Sequence, residues 1–253
     1  MTAKPEKTII FLGPSLAASE VRLPDAEVRP PAAVGDILAL ALAKRPPARI
    51  ALIDGYFERM AAVWHKEILL ALERGIGVYG AASMGALRAA ELARFGMIGV
   101  GEIYKAYASG ELVRDDEVAV AHLPAAQGYR AVSTALVDLR YGLELAMKAR
   151  EITATTRLRL IELAAARFYR ERTWPLLLAD ARTAKISTTK LEAWLATPPP
   201  SRKATDARML LAVLAVPKRR IGRGAVVPRT WALRQLMSRG GERRRVTTRT
   251  DNQ

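Results

Sequence analysis

The chain has 253 residues, half of them apolar, and a formal net charge of +15. This composition is typical of a folded globular protein, with one large core or a main domain and an appendage. The absence of cysteine excludes disulfides, thiolate metal sites and a protein persulfide. With only two histidines, we expect no metal site and no cofactor.

The chain shows no signal for membrane insertion or export. No apolar run approaches the roughly 18 residues that a membrane span needs, and the N-terminus lacks the apolar core of a signal peptide. We therefore expect a cytoplasmic protein with no membrane partner.

Short strands and helices alternate in the first hundred residues. Apolar runs predict strands at 8–12, 49–53 and 77–80, and helical periodicity predicts helices at 37–43 and 56–74. An Ala-rich helix follows the third strand. This alternation predicts an α/β fold, with an N-terminal parallel sheet flanked by helices in a Rossmann-like arrangement.

The rest of the chain is predicted to be mostly helical. Helices are indicated at 131–150, 155–171, 188–195 and 204–216, with a Pro-rich linker at 198–200. We therefore divide the chain into an α/β core domain (1–130), a helical C-terminal region (131–235) and a basic, disordered tail (236–253).

Positive charge is concentrated near the C-terminus. Residues 201–253 contain 14 Lys or Arg and three acidic residues. Such a segment favours an acidic partner, either RNA or an acidic protein surface. A solvated tail without a partner is the alternative, since aromatic residues that stack on single-stranded bases are nearly absent.

A turn of small residues precedes Ser83. A serine between a strand and a helix, with Ala82 and Gly85 beside it, has the layout of a nucleophile elbow. Unpaired amides at the helix N-terminus, with Met84 and Gly85, can stabilise an oxyanion. Two alternatives stay open, because Ser83 can also cap the helix or the turn can hold an anion.

Three groups follow the ends of predicted strands. They are the loop Gly13-Pro14-Ser15, Asp54 and the Ser83 turn. Because ligands of open α/β sheets bind beyond the carboxyl ends of the strands, we expect these groups to border one cleft.

The two histidines are candidate proton carriers. His65 and Glu67 lie at opposite margins of the predicted 56–74 helix, from which His65 can reach a cleft as general acid or base. A half-buried structural role is the alternative for His65. His122 follows a run of three carboxylates, Asp115, Asp116 and Glu117. These carboxylates form a solvated turn, hold Mg²⁺ or orient His122 as part of a triad.

Seven sequence blocks between residues 8 and 135 together resemble the core domain of the TfuA family. The blocks are Gly-Pro-Ser-Leu at 13–16, Pro-Pro at 30–31 with Gly-Asp at 35–36, Asp-Gly-Tyr-Phe at 54–57, Trp-His-Lys-Glu-Ile-Leu at 64–69, Ala-Ser-Met-Gly-Ala-Leu-Arg-Ala-Ala-Glu-Leu at 82–92, Gly-Met at 96–97, and Asp-Asp-Glu-Val-Ala at 115–119 with His122. The resemblance implies an accessory protein of YcaO enzymes, which are ATP-dependent and form thioamides in peptide backbones. It also implies release of sulfide from a thiocarboxylated, ThiS-like sulfur carrier.

The implied reaction assigns roles to the candidate residues. Ser83 attacks the thiocarboxylate or positions water, and His65 transfers protons. His122 and the 115–117 carboxylates are the alternative set of catalytic groups. Arg88 offsets the charge of the thiocarboxylate; its alternative is a surface ion pair with Glu91. We predict Ser83, His65, His122 and Asp54 as catalytic residues. The predicted substrate-binding residues are Gly13, Pro14, Ser15, Met84, Gly85, Arg88, Glu67, Asp115 and Asp116.

Two other functional classes stay open. The chain can be a non-catalytic module that docks and activates the YcaO enzyme, with the modified peptide as a further contact. It can also be a nucleic-acid- or ribosome-associated protein that acts through its basic tail.

Overall fold

A computed structural model describes residues 7–57, 61–216 and 226–238, apart from 232 and 236. Five parallel strands form one sheet: β1 (Thr8–Phe11), β2 (Ala26–Arg29), β3 (Arg49–Leu52), β4 (Gly77–Ala81) and β5 (Ile98–Val100). Their order is β2-β1-β3-β4-β5. The sheet and its flanking helices confirm the predicted α/β, Rossmann-like fold.

The strand order reverses between β1 and β3. The connection after β1 leads outward to β2, while the chain after β3 leads the opposite way to β4. In doubly wound sheets this switch point opens a crevice beyond the carboxyl ends of the strands.

Alternate side chains of the strands face two different cores. Ile9, Phe11, Ile50 and Leu52 pack against three helices that follow strands: α1 (Asp36–Ala41), α2 (His65–Glu73) and α3 (Met84–Leu92). The residues between them in sequence, such as Ile10 and Ala51, pack against α9 (Arg202–Ala215). Helix α9 therefore covers one face of a sheet formed by the first hundred residues.

The remaining helices are α4 (Glu102–Ala108), α5 (Leu136–Lys148), α6 (Ala154–Ala166), α7 (Trp174–Thr183) and α8 (Thr189–Trp194). Helices α5 to α8 share a separate hydrophobic cluster, with Leu139, Leu143 and Leu160 at its centre. None of the helices in the described ranges has the length and apolar character of a membrane span.

The structure corrects the predicted start of α2. Residues 61–64 are not helical, and Trp64 has an extended backbone with φ −83° and ψ 142°. The Trp64 N–H donates to the Glu67 carboxylate at 3.1 Å, which begins the helix at His65. The apolar spacing of Phe57 and Ala61 was therefore misinterpreted as helical. Strands β2 and β5 and helices α4 and α7 were not predicted.

The second described stretch of the C-terminal region, residues 226–238, forms what we call the C-terminal strap. Val227 and Leu233 are buried in the core that contains α1, α2 and α3, and Met237 packs against it. The Val227 N–H and the Arg229 guanidinium donate to the Glu73 carboxylate at 2.7–2.9 Å. These bonds hold the pKa of Glu73 below its usual range. The basic clusters at 218–223 and 243–245, and nearly all of the predicted tail, lie outside the described residues.

Candidate functional site

The chain turns sharply between β4 and α3. Ala82 has φ +65°, in the region that favours glycine, and the Ser83 N–H donates to the Ala81 carbonyl at 2.7 Å. This γ-turn is a strained backbone arrangement, of a kind that clusters at functional sites. Because the turn brings α3 directly onto the sheet, a Cβ built on Gly85 would lie 1.7 Å from the Leu52 carbonyl oxygen.

The Ser83 hydroxyl points away from the helix that follows it. Its side chain makes no capping hydrogen bond to α3, so the predicted alternative of a side-chain cap is wrong. Instead Ser83 Oγ donates to the Val118 carbonyl at 3.4 Å. Among the described residues no backbone carbonyl accepts a hydrogen bond from the N–H of Met84, in the first turn of α3, as expected at a helix start.

A buried lysine donates to the same carbonyl oxygen. Lys203, from α9, is only 3% exposed, and its Nζ lies 2.9 Å from the Val118 oxygen. Ser83 Oγ and Lys203 Nζ therefore share one acceptor. Sequence reasoning missed Lys203, because 120 positions separate it from the serine and nothing near it marks a motif.

Asp138 lies beside the lysine. The backbone N–H of Lys203 and the Ser201 hydroxyl both donate to Asp138 Oδ1 at 3.1 Å. Burial raises the pKa of Asp138, although the Lys203 charge and these hydrogen bonds act in the opposite direction. The carboxyl group thus fixes the first turn of α9, from which Lys203 projects.

Asp54 organises the loop after β1. The N–H groups of Gly13 and Ser15 donate to Asp54 Oδ2 at 2.8 and 3.0 Å, and the Ser15 hydroxyl donates to Oδ1 at 2.6 Å. Asp54 is 1% exposed. The geometry is that of a loop clamp, in which the carboxylate holds Pro14 at the mouth of the crevice.

A cavity of about 600 Å³ lies at the switch point, beyond the carboxyl ends of β1, β3 and β4. The structure brings six of the predicted site residues to its wall: Pro14, Asp54, Ser83, Met84, Asp115 and His122. Aromatic rings and one cation complete much of the lining: Tyr56, Phe57, Tyr129, Tyr169 and Arg170. Lys203 is not part of this wall and reaches Val118 from within the protein.

His122 is the histidine of the cavity. Its ring packs against Tyr56 and Tyr129, with centroids 6.2 and 5.7 Å away. Its Nδ1 lies 2.9 Å from the Leu123 carbonyl oxygen. Because a carbonyl can only accept, this bond places the proton of the neutral ring on Nδ1 and leaves a lone pair on Nε2.

His65, Arg88 and Glu67 do not line the cavity. His65 Nε2 contacts Glu91 at 2.8 Å, and Arg88 donates to the same carboxylate at 2.7 Å. The alternative prediction of an Arg88–Glu91 pair is therefore confirmed. Glu67 is fully buried and accepts bonds from the N–H groups of Gly35, Leu38 and Trp64. Burial raises the pKa of Glu67, although these hydrogen bonds act in the opposite direction.

The three carboxylates at 115–117 have different surroundings. Asp115 lines the cavity, whereas Asp116 is paired with Arg114 and Arg172, and Glu117 with Arg140. Burial alone would raise the pKa of Asp116, but the two arginines outweigh it and hold the pKa below its usual value. Among the residues that the structure describes, no group of three or more His, Asp or Glu side chains is placed to hold a metal ion.

Together, the sheet and the cavity define a parallel α/β protein with a serine-containing crevice at its switch point. The model of the TfuA-like protein family matches residues 54–173, which include Asp54, the Ser83 turn and His122. The match, which covers just under half of the chain, supports its assignment to the TfuA-like family. No curated protein matches it significantly. The family is known as a partner of YcaO enzymes, which indicates a role as an accessory protein of such an enzyme.

Proposed function

We propose that the protein is a serine hydrolase that releases sulfide from a thiocarboxylated, ThiS-like carrier and supplies it to a YcaO enzyme that thioamidates a peptide. One observation carries this proposal. Ser83 Oγ and Lys203 Nζ converge on the Val118 carbonyl beside a cavity that admits a ligand. A serine activated by a lysine is an established variant of the hydrolytic triad.

The first step overcomes the poor reactivity of the thiocarboxylate anion. Ser83, whose side chain lines the cavity, relays a proton from the buried Lys203 ammonium to the sulfur, which turns the anion into a neutral thioacid and leaves a neutral amine. That amine then takes the proton of Ser83 as the hydroxyl oxygen attacks the carbonyl carbon. The N–H of Met84 donates to the developing oxyanion, as expected of the residue after the nucleophile.

The tetrahedral intermediate then collapses. The carbon–sulfur bond breaks, hydrosulfide leaves, and the carrier tail stays attached to Ser83 as an ester. Water attacks this ester with Nε2 of His122 as the general base, which restores the serine and releases a carrier carboxylate. No sulfur rests on the protein, in keeping with a chain that contains no cysteine.

The cavity wall fits the end of a peptide chain. Its size falls within the range that holds small ligands, and its aromatic rings exclude water from the reacting ester. Arg170 adds a positive charge to the wall, which favours an anionic chain end. The thioamidated peptide itself is held by the YcaO partner in this proposal.

Replacement of Ser83 by Ala and of Lys203 by Met tests the mechanism. Each variant removes one reacting group with little change of shape, and sulfide release should fall roughly a hundredfold or more. Because the two groups act as a unit, the double variant should be little worse than either single one. The measurement is sulfide release from a thiocarboxylated carrier by the purified protein.

Ser109→Ala, at an exposed serine, and Lys66→Met, at a surface lysine, are matched controls that should retain full activity. Near-normal release by a folded Ser83→Ala protein would end the hydrolase proposal. That result would instead favour the alternative of a non-catalytic module that docks the YcaO enzyme. Binding of RNA with a steep salt dependence would favour the nucleic-acid alternative.

A further inference from the structure

The Val118 carbonyl, which both reacting side chains share, lies directly after a short turn at Asp115–Glu117. The turn is a single 3-10 turn and has little rigidity of its own. Its position, and with it the position of the shared acceptor, must therefore be set by neighbouring groups.

Arg172 fixes the turn from the helical cluster. Its side chain has no exposed area, and it donates to the backbone oxygen of Asp116 at 2.8 Å and to Asp116 Oδ2 at 2.5 Å. Its Nε also donates to the carbonyls of Ala164 and Arg167, both at 3.1 Å, at the end of α6. One buried guanidinium thus joins the end of α6 to the backbone two residues before Val118.

Arg140 adds a second link. From α5 it donates through Nε and one terminal nitrogen to both oxygens of Glu117, at 3.0 and 2.8 Å. The Glu117 side chain is only 3% exposed, so the pair is shielded from solvent on that side. Planar two-point pairing fixes orientation as well as distance.

We propose that Arg140 and Arg172, paired with Glu117 and Asp116, form an arginine clamp that positions the Val118 carbonyl and thereby aligns Ser83 with Lys203. The inference rests on the proposed function of the site. The two arginines touch no substrate and are positioning residues. The clamp makes the helical region a working part of the active site, since it supplies both arginines while α9 supplies the lysine.

The test compares Arg172→Lys, Arg140→Lys and Glu117→Gln with the wild type. Each variant keeps a donor or acceptor but loses the two-point pairing. We expect kcat for sulfide release to fall roughly tenfold to a hundredfold, because small displacements of reacting groups have effects of this size. The KM for the carrier should stay within about twofold, because the cavity wall is unchanged.

Asp180→Asn is the matched control. Arg167 and Asp180 form a similar two-point pair in the same helical cluster, whereas the ion pairs of the 115–117 turn in the described structure are with Arg114, Arg140 and Arg172. This variant should lose stability comparable to that lost by Glu117→Gln, with unchanged kcat. If Arg172→Lys does not fold, the two milder variants carry the test.

Labelling of Ser83 by a fluorophosphonate, which needs no carrier, separates the two proposals. Clamp variants that label as fast as the wild type and keep its kcat would overturn the clamp and leave the hydrolase proposal intact. Clamp-dependent labelling by a wild-type protein that releases no sulfide would overturn the proposed reaction and support the clamp. A wild-type Ser83 that is not labelled at all would overturn both.

Discussion

The two histidines of the chain have different surroundings. His122 lines the cavity with Nε2 available as a base, whereas His65 is half exposed and contacts Glu91. His122→Ala should reduce sulfide release roughly a hundredfold, the usual contribution of a general base.

His65→Ala is the comparison for this prediction. It should leave the rate within about twofold and the stability nearly unchanged, because exposed ion pairs contribute little. The measurement is the rate of sulfide release by both variants. A larger loss in His65→Ala than in His122→Ala would restore the predicted pairing of Ser83 with His65.

Single residues differed in how well the sequence predicted them. Asp54, Pro14 and Ser83 were expected in one cleft, because parallel strands place their carboxyl ends at one edge of the sheet. His65 was placed on a helix margin that depended on a helical start near residue 56, and the helix begins nine residues later. Lys203 could not be found, since a lysine in an amphipathic helix is most often a solvated side chain.

At the level of elements, the contact between α3 and the sheet has no room for a larger residue at Gly85. A Cβ there would lie 1.7 Å from the Leu52 oxygen, so the backbone of α3 or β3 must move. Gly85→Ala should lower the free energy of unfolding by about 3 kcal/mol and displace Ser83 as well. Thermal unfolding and Ser83 labelling measure the two effects.

Gly110→Ala provides the control for this prediction. Gly110 has φ +79° and no atom within 4 Å of a built Cβ, so its replacement costs only the backbone strain of about 1–2 kcal/mol. Equal losses of stability in the two variants would contradict the steric explanation. Retained labelling in Gly110→Ala would confirm that the effect on Ser83 is local.

The sequence pattern does not predict strands β2 and β5, for a physical reason. β2 and β5 are edge strands of four and three residues, too short for a periodic pattern and only partly buried. The central strands β1, β3 and β4 are nearly continuous apolar runs, which are typical of strands buried on both faces. The fold class therefore followed from the centre of the sheet alone.

On the scale of the whole molecule, the C-terminal strap contributes to the core. Removal of residues 226–253 exposes the sites of Val227 and Leu233 and should cost about 3 kcal/mol or more of stability. Removal of 239–253 should leave the stability unchanged. Chemical denaturation of the two truncated proteins measures the difference, and equal midpoints would contradict a stabilising strap.

Acid should weaken the strap. The pKa of Glu73 is lowered in the folded protein by Arg229 and the Val227 N–H. A lowered pKa stabilises the fold above the unfolded value of about 4.3, and this stabilisation is lost as the pH falls through the folded value. Arg229→Gln should therefore destabilise the protein at pH 7 and have a smaller effect near pH 3. A constant difference across this range would exclude Glu73 as the responsible group.

The return of α9 to the sheet has a consequence for the order of events during synthesis. The Pro14 loop is made early, Ser83 later, and Lys203 only after a further 120 residues have been translated. Contacts between such distant segments form late in folding, because closing long loops is slow. A nascent or truncated chain thus holds the serine without its lysine. In the proposed mechanism, hydrolytic competence therefore depends on the late docking of α9 onto the sheet.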